Sequence, residues 1–261
     1  MTDIHVYSLY SGSTGNASLI VAGETRFLID AGKNTKSLLA ALATCGVEPS
    51  ELSAIFLTHE HGDHVKALPV FLKKYPLPVH LPQGCLPPLA ADPIVSPLLR
   101  PHPPIHTEVL SGGVTVTSFP TPHDSRASVG YRIEIPQEDR FFRIGYATDV
   151  GTVTSAVEQG LLGCEAVVIE ANHDPEMLVC GPYPEPLKER VASRYGHLSN
   201  PDCALLAAKL CENGTRSLML AHLSEVNNTP ACARNEVEMT VGASALRISV
   251  ADPKAVVELE L

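Results

Sequence analysis

Short apolar stretches, some alternating with polar residues and some continuous, recur along the whole chain and are separated by turn residues. Stretches of this length predict β-strands. The predicted strands lie at residues 6–9, 17–21, 26–29, 54–57, 78–81, 114–119, 128–135, 141–147, 165–169, 216–220, 246–250 and 255–259. Predicted helices lie at 37–45, 65–74, 184–194, 201–211 (with Asn200 as N-cap) and 234–240. Two strand-rich halves, each closed by helices, predict one α/β domain over residues 1–261, built as a four-layer α/β/β/α sandwich.

A proline-rich stretch interrupts this pattern between residues 82 and 104. Its prolines cannot sustain a helical hydrogen-bond ladder and disfavour a central strand: Pro82, Pro87, Pro88, Pro93, Pro97, Pro101, Pro103 and Pro104. We expect a loop that wraps tightly over the surface, and a lid beside a functional site is the alternative. His102 and His106 belong to no recognisable motif, so we place both outside the candidate site. We expect His80 to be a surface or packing residue.

Residues 58–64 read Thr-His-Glu-His-Gly-Asp-His and directly follow the apolar strand predicted at 54–57. Residues two apart in an extended segment face the same way, so His59 and His61 can converge on one point, while Asp63 and His64 address a second. Imidazole nitrogens suit zinc, iron, nickel or manganese, and a carboxylate adds a hard donor. The spacing therefore predicts a metal site, with a charged, histidine-rich turn as the alternative.

The pattern His-x-His-x-Asp-His after an apolar strand resembles the signature of the metallo-β-lactamase-fold hydrolases. The likeness extends over almost the whole chain. It is closest to the YycJ/WalJ-like group, which is similar to the RNase Z branch of that superfamily. The resemblance implies the metallo-β-lactamase type of sandwich and two divalent metal ions per chain. It implies a first ion on His59, His61 and His123, a second on Asp63, His64 and His222, and Asp149 as a bridge between them.

The same resemblance implies roles in catalysis. The segment Gly-His-Leu-Ser at 196–199 resembles the Gly-His-Ser segment of RNase Z, whose histidine assists departure of the leaving oxygen. His197 would be this general acid, Glu170 would orient it, and Asp63 would both hold a metal and orient the nucleophile. The alternative for His197 is a capping or packing residue before a helix. Candidate substrate contacts are Ser199, Asn227, Asn228 and His173.

Two further segments are expected to surround the centre. Asp30 follows the strand at 26–29 and begins an Asp-Ala-Gly sequence. It would brace the metal loop, because ligand histidines need a hydrogen-bond partner on their second ring nitrogen. The Gly/Ser/Asn turn at 11–16 is either an ordinary hairpin loop or, as in the family it resembles, part of the rim of the active site.

Composition restricts the partners and the location. The formal net charge of −10 argues against a generally basic nucleic-acid surface. Two divalent ions would nevertheless add about four positive charges where a phosphate docks. The seven cysteines form no CxxC pair, which predicts free thiols and a cytoplasmic location. There is no apolar run of the roughly 20 residues that span a membrane and no signal peptide at the start, so we expect no membrane association.

The leading functional hypothesis is a dinuclear hydrolase in which the two ions share a hydroxide nucleophile. The resemblance implies a phosphodiesterase or nuclease, a DNA exonuclease in particular, with DNA favoured over RNA as substrate. Zinc is the expected metal, with manganese or iron as alternatives, and a homodimer is a further hypothesis.

Two other functions stay open. One is a small-molecule hydrolase acting on a cyclic or sugar phosphodiester, a lactone or a thioester. The other is a metal-binding protein without hydrolytic activity. The chain has no Trp, six Phe and seven Tyr, which leaves few of the aromatic platforms that single-strand grooves use for stacking.

Overall fold

The computed structural model describes residues 2–242 and 246–261. Met1, the first residue of the predicted domain, lies outside the described residues. The strands are β1 Ile4–Tyr10, β2 Ala17–Ala22, β3 Thr25–Ile29, β4 Ala54–Phe56, β5 Val79–Pro82, β6 Leu99–His102, β7 Thr107–Val109, β8 Thr115–Pro120, β9 Val129–Pro136, β10 Phe141–Ala147, β11 Ala166–Glu170, β12 Ser217–Ala221, β13 Arg247–Val250 and β14 Val257–Glu258. The helices are α1 Thr35–Thr44, α2 Gly62–Val65, α3 Leu68–Lys74, α4 Leu86–Leu89, α5 Ser155–Leu161, α6 Pro175–Cys180, α7 Glu185–Val191, α8 Asn200–Glu212 and α9 Pro230–Val241.

The strands form two seven-stranded mixed sheets with matching topology. The first has the order β14-β1-β2-β3-β4-β5-β6 and the second the order β13-β12-β11-β10-β9-β8-β7. In the first, the pairs from β14 to β3 are antiparallel and those from β3 to β6 are parallel. In the second, the pairs from β7 to β10 are antiparallel and those from β10 to β13 are parallel. In each parallel half, several carboxyl ends therefore meet at one sheet edge, where α/β proteins bind ligands.

The alternation of side chains along each strand divides the core into three apolar clusters. In β3, Phe27 and Ile29 pack between the two sheets, whereas Leu28 faces the side covered by α1 and α3. In β11, Val168 packs between the sheets and Val167 faces α5, α8 and α9. The layers are thus helix, sheet, sheet and helix, which confirms the predicted α/β/β/α sandwich.

The proline-rich stretch is more regular than predicted. It forms the short helix α4, which has a proline in its first turn, and the edge strand β6. Pro101 lies on β6, which is the edge strand of the first sheet among the described residues and pairs with β5. A proline is tolerated there because an edge strand does not need every N–H for its ladder. The expectation of a continuous loop was wrong for these two elements.

The N-cap of α8 is one residue earlier than predicted. Ser199 caps this helix, and its hydroxyl accepts a hydrogen bond from the Asp202 N–H. Asn200 is buried, and its side-chain amide pairs reciprocally with that of Asn228 at 2.9 Å. The sequence pattern also did not predict α5 and α6, which have only seven and six residues.

Among residues 2–242 and 246–261, no helix is both long and apolar enough to cross a bilayer.

Candidate metal centre

The histidine-rich motif leaves β4 and turns at once into helix α2. His61 is the N-cap of α2, so Asp63 and His64 lie in its first turn. The backbone of this turn is held by the Asn16 N–H, which donates to the Asp63 carbonyl at 2.8 Å. Gly32 packs against the same carbonyl so closely that a Cβ there would lie 1.5 Å from the oxygen. The glycine of the Asp-Ala-Gly sequence is therefore required by close backbone contact.

The buried carboxylate of Asp30 holds the motif in place through three hydrogen bonds. One oxygen accepts from the Thr58 N–H at 2.8 Å, and the other accepts from the Thr58 hydroxyl and from His64 Nδ1, both at 2.8 Å. Because Nδ1 of His64 is occupied, its Nε2 is the ring nitrogen that faces the site. These contacts confirm the predicted brace.

His59, His61 and His123 form the first cluster of candidate ligands. One ligand atom from each lies within 4.8 Å of the others. The centroid of the His59 ring is 4.5 Å from that of His61 and 5.0 Å from that of His123. His123 donates Nδ1 to the Gly196 carbonyl at 3.1 Å, which directs Nε2 into the cluster. The structure thus brings together the three side chains predicted to hold the first ion.

Asp63, His64 and His222 form a second cluster with the same spacing of ligand atoms. Asp149 lies between the two clusters. One of its oxygens is 3.5 Å from His222 Nε2 and 3.7 Å from His123 Nε2, and the other is 3.4 Å from His64 Nε2. A carboxylate in this position can offer one oxygen to each of two ions.

Backbone strain is concentrated at this site. Within the described part of the chain, the non-glycine residues with positive φ are Asp30, Asp149 and His222, at 62°, 57° and 56°. This left-handed region is uncommon for residues with a Cβ. All three follow the ends of strands β3, β10 and β12. Such strain persists where the surroundings over-determine the conformation, and it clusters at functional sites.

Glu170 is a buried carboxylate with four donors. One oxygen accepts from His197 Nδ1 at 2.8 Å and His222 Nδ1 at 2.9 Å. The other accepts from the backbone N–H groups of Val150 at 2.7 Å and Leu198 at 3.1 Å. Burial tends to raise the pKa of Glu170, but His197 and His222 outweigh it and lower this pKa to about 2. The predicted pairing of Glu170 with His197 is present, and Glu170 also positions His222.

The imidazoles of the site have opposite electrostatic environments. Burial lowers the pKa of His59 well below its usual value, so this ring is neutral and can offer a lone pair. Burial also tends to lower the pKa of His222, but Asp149, Asp63 and Glu170 raise it to about 10. The carboxylates thus favour positive charge between them, and bound cations would supply that charge.

The donor atoms fit divalent metal ions. His59 Nε2, His222 Nε2 and Asp149 Oδ2 are buried and have no hydrogen-bond partner among the described residues. Buried polar atoms without a partner are rare and costly. Each of the three belongs to a cluster that could hold an ion. Imidazole and carboxylate donors in this mixture suit zinc, manganese and iron.

The two clusters open into a cavity of about 300 Å³. It is lined by Ser13, His61, Asp63, His123, Asp124, Asp149, Leu187, Arg190, Val191, Gly196, His197 and His222. No described residue of the proline-rich stretch 82–104 lines this cavity, so the lid alternative has no support here. Ser13 places the turn at 11–16 on the rim, as the family resemblance implied.

The four candidate substrate contacts lie elsewhere. Ser199 caps α8, and Asn228 donates to the Ala171 carbonyl besides pairing with the amide of Asn200. Asn227 is fully buried, and His173 forms an isolated backbone bridge with Ser199. None of the four lines the cavity, so contact with substrate stays a prediction that this geometry does not support.

Sequence reasoning overlooked three residues at the site. Asn16 Nδ2 lies 3.2 Å from Asp63 Oδ2 and 3.1 Å from His64 Nε2. Arg190 donates its Nε to Asp124 at the rim of the cavity. The position of Asp124 directly after the predicted ligand His123 could have indicated its place at the site. Asn16 belongs to the turn at 11–16, for which the rim of the active site was one of two expected roles. Nothing in the local pattern marks Arg190, because α7 brings it to the site from a distant part of the chain.

The chain is similar to known proteins over most of its length. Residues 25–223 match the family model described as a β-lactamase superfamily domain. The exodeoxyribonuclease YycJ of Bacillus anthracis is 33% identical over 260 residues, covering 96% of each chain. A ribonuclease Z of Natronomonas pharaonis is 32% identical over 177 residues, which covers 61% of this chain and 55% of the relative. Among solved structures, zinc-bound PqqB of Methylobacterium extorquens superposes with a TM-score of 0.74 at 18% identity, covering 98% of this chain and 100% of that one.

The contacts of Asp30 generate a prediction for stability. Asp30→Ala would leave the buried Thr58 N–H without its acceptor and would remove the carboxylate partner of His64 Nδ1 and of the Thr58 hydroxyl. Removing one partner of a buried pair costs about 3–5 kcal/mol of unfolding free energy, and denaturant titration monitored by circular dichroism would measure it. Asp139→Ala, at an exposed carboxylate, should change that free energy by no more than about 0.5 kcal/mol. Equal effects of the two substitutions would contradict the bracing role.

Proposed function

Because this chain belongs to the β-lactamase superfamily, in the RNase Z-like branch close to the YycJ/WalJ-like proteins, we propose that it is a metal-dependent phosphodiesterase that cleaves nucleic acid, with DNA favoured over RNA. The observation that carries this proposal is the His197–Glu170 pair, which stands beside Asp149 at the cavity. A relative of nearly equal length is an exodeoxyribonuclease, which supports DNA as the substrate.

We assign the two proposed ions to the two clusters around Asp149. The residues that would hold them are His59, His61 and His123 for one, Asp63, His64 and His222 for the other, and Asp149 for both. Two divalent ions there would provide a hydroxide nucleophile at neutral pH and would offset negative charge on the attacked phosphoryl group. Zinc is the proposed metal, with manganese or iron as alternatives.

His197 is the proposed general acid. Its Nδ1 is held by the Glu170 carboxylate, so Nε2 is the atom available to donate a proton to the leaving oxygen. Burial tends to lower the pKa of His197, but Glu170 raises it, which favours the protonated ring. Such proton donation contributes about 10²–10⁴-fold to the rate. Asp63, which also lines the cavity, would orient the nucleophile.

Arg190 supports an anionic substrate. It is the only Lys or Arg among the described residues that line the cavity. Its Nε is engaged by Asp124, which fixes the guanidinium at the rim. Guanidinium groups bind phosphate through charge-assisted hydrogen bonds, so Arg190 could hold a phosphate next to the one that is cleaved.

A small phosphodiester is the second candidate substrate. The cavity of about 300 Å³ lies at the lower limit for ligand pockets, which hold small molecules. The acidic chain also offers no Trp for stacking. A lactone or thioester hydrolase and a non-hydrolytic metal-binding protein stay as further alternatives without a specific observation in their favour.

We also propose that the protein is located in the cytoplasm. All seven cysteines are free thiols, as expected in a reducing cytoplasm.

A substrate panel would test the proposed reaction class. One metal-loaded sample would be given labelled single-stranded DNA, duplex DNA, RNA, bis-p-nitrophenyl phosphate and a γ-lactone. We expect turnover of DNA and of the aryl phosphodiester, with DNA cleaved faster than RNA. Turnover of the lactone alone would contradict the phosphodiesterase proposal, while turnover of the small phosphodiester without any nucleic acid would favour the second candidate.

Asp149→Ala tests the shared position of this carboxylate. Without an oxygen for either ion, the variant should lose about two ions per chain after dialysis, together with its activity. Elemental analysis of wild type and variant, purified in parallel, would measure the loss. Asp139→Ala, at an exposed carboxylate, is the control and should retain the wild-type metal content. A variant that kept its metals and its turnover would show that Asp149 does not bridge.

His197→Ala tests the general acid. Because His197 lies outside the proposed ligand set, the variant should keep its metals. Cleavage of DNA, whose alkoxide leaving group needs a proton, should fall by about 10²–10⁴-fold. Cleavage of bis-p-nitrophenyl phosphate should fall much less, since nitrophenolate leaves without a proton. Equal losses for both substrates, or loss of metal, would refute the acid role.

A further inference from the structure

A second group of histidines lies at another edge of the sandwich. His80 is on β5, His102 is on the edge strand β6, and Glu108 is on β7, which is the edge strand of the second sheet. His106 lies just before β7. The group therefore spans the gap between the two sheets, and none of its members lines the cavity of the candidate metal centre.

The ligand atoms of this group converge. His80 Nδ1 lies 2.9 Å from His102 Nε2 and 3.7 Å from a Glu108 carboxylate oxygen. One atom each from His80, His102 and Glu108 lies within 4.8 Å of the others. A hydrogen bond between two neutral imidazoles would account for the shortest of these distances. It does not account for the carboxylate, which completes a triangle of one oxygen and two nitrogen donors.

The surroundings favour a bound ion over free side chains. His80 is buried and stacks on Phe56, with 4.7 Å between ring centroids. A cavity of about 20 Å³ adjoins His80, His102 and His106. That volume is enough for one water-sized occupant.

His106 completes the group from outside. Its Nε2 lies 3.2 Å from the same Glu108 oxygen, and its ring stacks on His102 with 3.8 Å between centroids. Residues that hydrogen-bond a ligand carboxylate orient it and increase metal affinity. Side chains on β5, β6 and β7, and His106 just before β7, thus provide both the ligands and their support.

We propose that His80, His102 and Glu108 bind a further divalent ion, of the zinc class, at the edge shared by the two sheets. Two imidazoles and one carboxylate are a known zinc ligand set, with the fourth position left to water. The ion would link β5 and β6 of the first sheet to β7 of the second. Because the unfolded chain has no such site, binding would stabilise the fold. This inference does not depend on the proposed function.

Metal counting with matched variants tests the site. After equilibration with zinc chloride and removal of free metal, wild type should hold one more zinc ion per chain than His102→Ala and Glu108→Gln. His5→Ala, at a partly exposed histidine on β1, is the control and should match wild type. Both test positions are half-buried, and circular dichroism would confirm that the variants fold.

A thermal measurement separates this site from the candidate metal centre. In the Asp149→Ala background, added zinc should still raise the melting temperature, and in Asp149→Ala/His102→Ala it should not. Equal zinc contents in wild type, His102→Ala and Glu108→Gln would overturn the proposal. So would an equal zinc-induced shift in melting temperature in the two Asp149→Ala backgrounds. Neither result would affect the phosphodiesterase proposal, which is tested by turnover.

Discussion

The carboxylate of Glu170 connects the parts of the candidate centre that come from the second half of the chain. A buried carboxylate is costly unless it is paired and fully hydrogen-bonded. Here two imidazoles and two backbone N–H groups meet this requirement. The donors lie at residues 150, 197, 198 and 222, on three separate loops. Those loops must adopt one arrangement for the charge to be compensated, and that arrangement places His197, His222 and Asp149 around one cavity.

Asp30 has the corresponding role in the first half. It follows β3 at the start of the parallel part of the first sheet, and Glu170 ends β11 in the parallel part of the second. Each carboxylate accepts a backbone N–H from a neighbouring loop and a ring N–H from a candidate ligand. The matching topology of the two sheets thus presents two braced sets of imidazoles to each other. Asp149 lies where the sets meet, and its left-handed backbone is one of three strained positions at this junction.

The same architecture explains why a second histidine group can form without interfering with the first. Most of the candidate centre comes from loops at the carboxyl ends of parallel strands. His102 and Glu108 lie instead on the edge strands β6 and β7, and His80 lies on β5, next to β6. Edge strands have backbone groups and side chains without a neighbouring strand on one side. A metal link between the two edges would hold the sandwich together where hydrogen-bonded ladders end.

The sequence by itself determined the parts of this protein that depend on local pattern. Alternation placed most strands within one or two residues, as at β10, Phe141–Ala147. The spacing of His59, His61, Asp63 and His64 indicated a metal site, and their likeness to a known signature pointed to His123, Asp149, His222, Glu170 and His197. Asp149, Glu170 and His222 lie at the ends of β10, β11 and β12. These strands are parallel, and the ends of parallel strands meet at one edge of a sheet whatever the details of packing.

Only the tertiary structure decided contacts between distant segments. Arg190 reaches the cavity because α7 packs there, and Asn200 is a buried partner of Asn228 rather than a cap. His80, His102 and His106 carry no motif, and they meet Glu108 only because two sheet edges lie side by side. Periodicity specifies which face of a strand is apolar. It does not specify which strand of one sheet adjoins which strand of the other, because that depends on packing summed over the whole core.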